Sequence, residues 1–276
     1  MVSREPAAGR VLGLLDPAEE TVLLLHGLAR SRWSMWAMER ALKRRGYAVL
    51  NFAHPTRRQS LDALVTHLAT RVGGIRPAPG RSNRLHAVGH SLGGLVLLAL
   101  FARMPEPWQP GRLVAIGSPF QGAKVADVVG GWRLARSFFG PVLRDLGWES
   151  EALRALAADG VEVGAIAGGG RFAVLNPGSL SNARLGVLRD TDGTVEIAAA
   201  LGAPWLKPFA DRLQVEAGHA FLPARPAVIE ATLHFLEHGR FTGPSEPAER
   251  SGGEVELPDD LEAGSFDRLR PPSLRR

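Results

Sequence analysis

Six residues, Gly89-His90-Ser91-Leu92-Gly93-Gly94, stand between two apolar runs, Leu85 to Val88 and Leu95 to Ala102. The order is strand, sharp turn, helix. A side chain at the apex of such a turn sits in a strained backbone conformation. It is tolerated only if the residues two before and two after are very small, and Gly89 and Gly93 fill those places around Ser91. The turn lifts the serine hydroxyl off the strand end and leaves the N–H of Leu92 free at a helix N-terminus. A nucleophile and one oxyanion donor then come from the same few residues. Gly-x-Ser-x-Gly alone recurs by chance in glycine-rich loops. The strand before it and the helix after it are what favour a catalytic serine.

The rest of the chain repeats the same alternation. Thr21 to Leu25 is a continuous apolar β-favouring run that ends in His26-Gly27-Leu28. Ser31 to Arg45 reads as an amphipathic helix, with Trp33, Trp36, Met38 and Leu42 expected on its buried side. Tyr47 to Phe52 is a strand, Ser60 to Val72 a helix, Arg84 to Val88 the strand before the serine turn, and Leu92 to Met104 the helix after it. Arg112 to Ile116 is a further strand, closed by Gly117-Ser118-Pro119. After Phe120 to Gly147 come a helix at Glu149 to Ala158 and a strand at Val161 to Ala167, ended by Gly168-Gly169-Gly170. Leu185 to Leu188 could pair as a strand, a helix begins at Val195, and Leu213 to Val215 is the last strand. Pro223 to Gly239 closes the pattern as a helix. Short apolar strands alternating with helices predict an α/β fold, a mostly parallel sheet of about six strands with helices on both faces. Ligands in such sheets bind beyond the carboxyl ends of the strands. His26-Gly27, Ser91 and Gly117-Ser118 all fall there.

This gives one domain over residues 21–241, preceded by a lead-in over residues 1–20 and followed by a tail. From Thr242 the composition shifts to Pro, Ser, Gly and charge, with eight acids against five arginines, and disorder is expected there. The tail's net of −3 leaves the remainder of a +5 chain at +8. The clusters Lys43-Arg44-Arg45 and Arg57-Arg58 are not interleaved with stacking aromatics, so they read as solvated helix faces rather than a nucleic-acid surface. A mild positive field favours anionic substrates and allows transient contact with a lipid surface. No apolar run reaches bilayer-spanning length and no secretion signal is evident, so the cytoplasm is expected. Cysteine is absent, which excludes disulfides and thiolate metal sites. Oligomeric state is not readable.

Phe120 to Gly147 breaks the alternation, with Trp132, Phe138, Phe139 and Leu143 among Gly and Arg. It can be ordinary core or a cap over residues 120–147 that shapes an apolar acyl pocket, with Phe120, Phe138 and Phe139 as its substrate-binding residues. The glycine triplet at residue 168 lacks a following Gly-Lys-Ser/Thr and is not a phosphate cradle.

A serine hydroxyl needs a neighbouring base, and the base needs an acid to fix its tautomer. The chain order Ser91, Asp192, His219 offers all three. Of eight histidines, His90 should point away from Ser91, and His26 reads as a structural group near the first strand end. His54, His67 and His86 lie upstream of the serine, and His234 and His238 sit in the last helix. His219 alone lies downstream just past a strand. Asp192 precedes Gly193 in a turn-forming pair, while Asp190 could cap the same turn, so Asp192 is preferred. No His, Asp or Glu cluster has metal spacing, and neither metal nor cofactor is expected.

Together, His26-Gly27-Leu28, Gly89-His90-Ser91-Leu92-Gly93-Gly94, Asp192-Gly193-Thr194-Val195 and Gly218-His219 resemble the α/β-hydrolase superfamily. Within it the chain resembles compact bacterial lipases and esterases. Gly117-Ser118-Pro119-Phe120-Gln121-Gly122 is similar to their Gly-Thr-Pro-x-x-Gly stretch, and Thr232-Leu233-His234-Phe235-Leu236 to their closing helix. The match spans Val22 to about Phe241, with a reduced sheet that starts near Thr21. The resemblance implies Ser91 as nucleophile, Asp192 as orienting acid, His219 as base, and the N–H groups of Leu28 and Leu92 as oxyanion hole. It implies a serine carboxylic-ester hydrolase acting on a small-molecule ester or lipid. An acyltransferase or thioesterase would use the same three residues, and a non-catalytic binding protein on this fold is a third reading.

Overall fold

The computed structural model describes residues 20–124, 126, 139–157, 159–169 and 190–241. The chain divides into two units, Met1–Gly243 and Pro244–Arg276, and every described residue lies in the first. The expected strand at Leu185 to Leu188, residues 125 and 127–138 of the possible cap (Phe138 among them), and the tail all lie outside the described residues.

Six strands form one sheet: β1 (Thr21–Leu25), β2 (Ala48–Phe52), β3 (Arg84–His90), β4 (Gln109–Ile116), β5 (Glu162–Gly169) and β6 (Asp211–Glu216). Their order is β2-β1-β3-β4-β5-β6, and every pairing is parallel. The register aligns the carboxyl ends. Leu25 pairs with Phe52 on one side and Gly89 on the other, and His90 pairs with Ile116. The chain first builds outward from β1 to β2, then crosses back to place β3 on the other side of β1. The carboxyl ends of β1 and β3, where the strand order reverses, are where an open sheet of this kind receives a ligand.

Alternate residues of each strand feed two cores, since successive side chains point to opposite faces. Val22, Leu24, Val88, Val114 and Ile166 pack against helices α1 (Trp36–Arg45) and α7 (Pro226–His238). Leu23, Leu25, Leu85, Ala87 and Leu113 pack against α2 (Leu61–Gly73) and α3 (Leu92–Phe101). Helix α3 is buried at every position but Ala99, as expected of a helix that is apolar all round. The helix starts follow local chemistry. Ser60 caps α2 by accepting from the Ala63 N–H, and Pro226 opens α7, where its missing N–H costs nothing.

Between β4 and β6 the helices are shorter than the spacing predicts. Glu149 to Ala158 yields only α5 (Glu151–Arg154), preceded by α4 (Val142–Asp145), and the helix expected from Val195 is α6 (Ile197–Ala200). Gly168 and Gly169, expected to end β5, lie inside it.

Helix α1 corrects one expectation more sharply. Trp33 and Trp36 are 68 % and 51 % exposed rather than core residues. The face turned to the sheet is Met35, Met38, Ala41 and Leu42. Trp33 and Trp36 belong instead to the stripe continued by Arg40, Lys43 and Arg44, at the three- and four-residue spacing of one helix face.

Candidate active site

Ser91 stands between the last residue of β3 and the first of α3, with φ 54° and ψ −124°. A positive φ in a residue with a Cβ costs on the order of 1–3 kcal/mol and persists only where the surroundings enforce it. Here they do. The Ser91 N–H donates to the Ile116 carbonyl at 2.8 Å, tying the turn to the end of β4. A Cβ on Gly89 would overlap the main-chain nitrogen of Gly94, and one on Gly93 the carbonyl oxygen of Leu25. The two flanking glycines therefore let the turn close against α3 and β1.

The loop after β1 runs beside it. A Cβ on Gly27 would lie 3.0 Å from the Ser91 Cβ, so this loop abuts the serine. The N–H of Leu28 has no acceptor among the described residues, and that of Leu92 is in the first helical turn, where no intrahelical acceptor exists. The loop after β2 braces this segment twice. His54 Nε2–H donates to the His26 carbonyl at 2.9 Å, and Thr56 Oγ1 accepts from the Ala29 N–H at 3.1 Å. Ala29 itself sits at φ 55°.

The histidine and the acid meet. His219 begins a 3-10 helix, His219–Ala224, just past β6. Its Nδ1–H donates to Asp192 Oδ2 at 2.6 Å, and its main-chain N–H donates to the Asp192 carbonyl at 3.0 Å. The other carboxylate oxygen, Asp192 Oδ1, accepts from the N–H groups of Thr194 and Val195 at 2.9 and 2.8 Å. Asp192 is 1 % exposed and His219 8 %. A buried carboxylate with three donors is well compensated for its lost hydration. Asp190, the competing acid, instead takes φ 68° in the turn and is exposed.

The imidazole of His219 lies over Gly117, where a Cβ would come within 3.2 Å of Nδ1 and 3.3 Å of Cε1. Gly117 follows Ile116, whose carbonyl receives the Ser91 N–H. Serine, imidazole and carboxylate thus share one rim of the sheet, above β3, β4 and β5. The Ser91 hydroxyl makes no hydrogen bond to a described residue.

No protein-family model matches the chain, and no curated protein matches it in sequence. Solved structures do match. The product of gene lin2722 from Listeria innocua superposes with TM-score 0.54 at 20 % identity, over 79 % of this chain and 94 % of that one. Lipase BlEst2 from Bacillus licheniformis, in mature form, gives 0.59 at 20 % identity, over 82 % and 93 %. Its propeptide form gives 0.63 at 21 % identity, over 83 % of this chain and 52 % of that one. The fold is that of the α/β-hydrolases.

Within this α/β-hydrolase fold, one neighbour of the serine has a partner that the sequence did not indicate. His90, expected to point away from Ser91, is tied to the loop of His219. Its Nε2–H reaches the main-chain carbonyl of His219 at 3.0 Å, and the two imidazole rings sit 4.8 Å apart. His90 is fully enclosed, and burial holds its imidazole well below the usual range, with the neighbouring His219 adding to the effect. Since a carbonyl only accepts, the nitrogen that faces it, Nε2, carries a proton. The signal available in the sequence was position alone, since a residue ending β3 must face one of the two layers beside the rim.

Of the expected pocket residues, Phe120 is fully buried, edge-on to Phe209 at 4.9 Å, and Phe139 is half-buried against the same core. Among the described residues no three His, Asp or Glu side chains converge on a common metal position, and no helix is long and apolar enough to cross a membrane.

Proposed function

We propose that the chain is a serine hydrolase that cleaves carboxylic esters, small-molecule or lipid, through an acyl-enzyme. The observation that carries this reading is the buried His219–Asp192 pair on the same rim as a serine held at positive φ. His219 Nε2 takes the Ser91 proton as the hydroxyl oxygen attacks the ester carbonyl. Asp192 keeps the proton on Nδ1 and stabilises the imidazolium that forms. The oxyanion is received by the N–H groups of Leu28 and Leu92. The imidazolium then protonates the departing alcohol. Water enters, loses a proton to His219 and releases the acid, restoring Ser91. Phe120, Phe138 and Phe139 are the proposed walls of the acyl pocket.

The test is hydrolysis of p-nitrophenyl esters of short and long acyl chains by the full chain and by Ser91→Ala. The variant should lose roughly three or more orders of magnitude in kcat/KM on every ester the parent cleaves. Near-normal turnover by Ser91→Ala would overturn the proposal.

A further inference from the structure

Three large apolar side chains are exposed among the described residues: Trp33, Trp36 and Phe221. Trp33 and Trp36 line an open groove of about 490 Å³ together with Arg32, Arg40, Lys43 and Arg44. A single acid, Glu39, joins them there, and its carboxylate is taken by Lys43 and Asn51, each at 2.6 Å. The guanidinium of Arg32 lies 4.9 Å from the Trp33 ring centroid, and that of Arg40 5.6 Å from the Trp36 centroid. The groove is therefore amphipathic, with indole rings interleaved with net positive charge. The third exposed aromatic, Phe221, stands two residues from His219. The 3-10 helix that carries it packs against both α1 and the 3-10 turn Arg32–Met35 that holds Trp33.

We infer that this outer face of α1 and the turn before it is a docking surface for an anionic phospholipid bilayer. The chemistry fits that occupant. Indole rings partition to the headgroup level of a bilayer, where one end of the ring is apolar and the other wet. Guanidinium and ammonium groups beside them meet lipid phosphates, and each cation adds to attraction by an anionic leaflet. The core does not account for the tryptophans, because Met35, Met38, Ala41 and Leu42 already fill the inward face of this segment. Docking here would bring a lipid surface to the element that bears His219. That consequence rests on the ester-hydrolase reading above, whereas the docking itself does not.

Co-flotation of the full chain with vesicles tests it. One set is phosphatidylcholine alone, and the other phosphatidylcholine mixed with phosphatidylglycerol. The full chain and Ser91→Ala should float with the anionic vesicles and not with the neutral ones. Trp33→Ala/Trp36→Ala and Arg40→Glu/Lys43→Glu/Arg44→Glu should each lower the bound fraction by roughly tenfold or more. Arg76→Glu/Arg103→Glu, at the ends of α2 and α3 remote from the site, should change it by less than about twofold. The tryptophan, α1-cation and Arg76/Arg103 variants, all with Ser91 intact, should keep their turnover of a soluble short-chain ester, so docking is read apart from catalysis. Absence of anionic-vesicle binding, undiminished binding by the tryptophan variant, or an equal loss in the Arg76/Arg103 control would overturn the inference.

Discussion

His90 donates its Nε2–H to the main-chain carbonyl of His219 at 3.0 Å, so the residue before the serine holds the loop that carries the imidazole. Strand β3 thus positions two of the proposed catalytic groups, one through the chain and one through a hydrogen bond. Removing the donor deprives that carbonyl of its side-chain hydrogen bond, at a cost of about 0.5–1.5 kcal/mol. His90→Phe should therefore lower Tm and reduce kcat by roughly tenfold or more, with a smaller change in KM. His90→Gln, whose amide can donate, should recover part of the loss. Equal activity of His90→Phe and the parent would remove His90 from this role.

Asp192 and Asp190 are two residues apart, and only the first touches His219. Asp192→Asn keeps the shape of the side chain but presents an amide to His219 Nδ1 and disfavours the required tautomer. Loss of about three to four orders of magnitude in kcat is expected, as for the orienting acid of other triads. Asp190→Asn should stay within roughly threefold of the parent, since Asn also tolerates a positive φ. Steady-state kinetics of the two variants decide the ranking, and a greater loss at Asp190 would reverse it.

Gly93 lies against the carbonyls of Leu25 and His26, the latter 2.9 Å from where a Cβ would stand. Gly93→Ala should destabilise the fold by roughly 1–3 kcal/mol and abolish ester turnover by displacing the turn. Gly74→Ala is the contrast. Gly74 sits at φ −77°, and a Cβ there would meet the Arg71 carbonyl at an ordinary 3.5 Å. It should leave activity unchanged and Tm equal or slightly higher. Thermal melts of both variants, read beside turnover, check the pair.

Four imidazoles, those of His26, His54, His86 and His90, are buried. Burial lowers His26, His86 and His90, and pushes His54 down to about 4 with the help of the adjacent His26. Below an ordinary histidine pKa of 6.5 the unfolded chain binds protons that the folded chain refuses, so stability falls as pH falls. Above that value neither state is protonated and this contribution is flat. For His54 alone the fall reaches about 2 kcal/mol at pH 5, or roughly 4–8 °C in Tm, with the other three acting in the same direction. Tm measured from pH 8 to 5 should be level and then decline. A level Tm down to pH 5 would contradict this account.

The alternation of strands and helices was legible because parallel strands buried on both faces tend to be continuously apolar, as Val22 to Leu25 is. The serine turn was legible because the two close approaches around it admit only glycine. The position of Asp192 was legible from its turn-forming neighbour Gly193. Residues whose environment is set by distant elements were not. The ring of His90 is oriented by a carbonyl 129 residues away. Trp33 and Trp36 compete with Met35 and Met38 for the inward face, and each set begins a helical stripe. Only the cations at Arg40, Lys43 and Arg44 mark which stripe faces outward. Thr56 carries no local sign that it braces the loop of Leu28, because that contact depends on β2 lying beside β1.

The most direct measurement is covalent labelling of the full chain with a fluorophosphonate, followed by peptide mass spectrometry. A single adduct is expected on Ser91, formed rapidly by the parent and almost absent in a folded His219→Ala variant. No adduct on the folded parent, an adduct on another serine, or labelling of Ser91 that is indifferent to His219 would contradict the proposed mechanism.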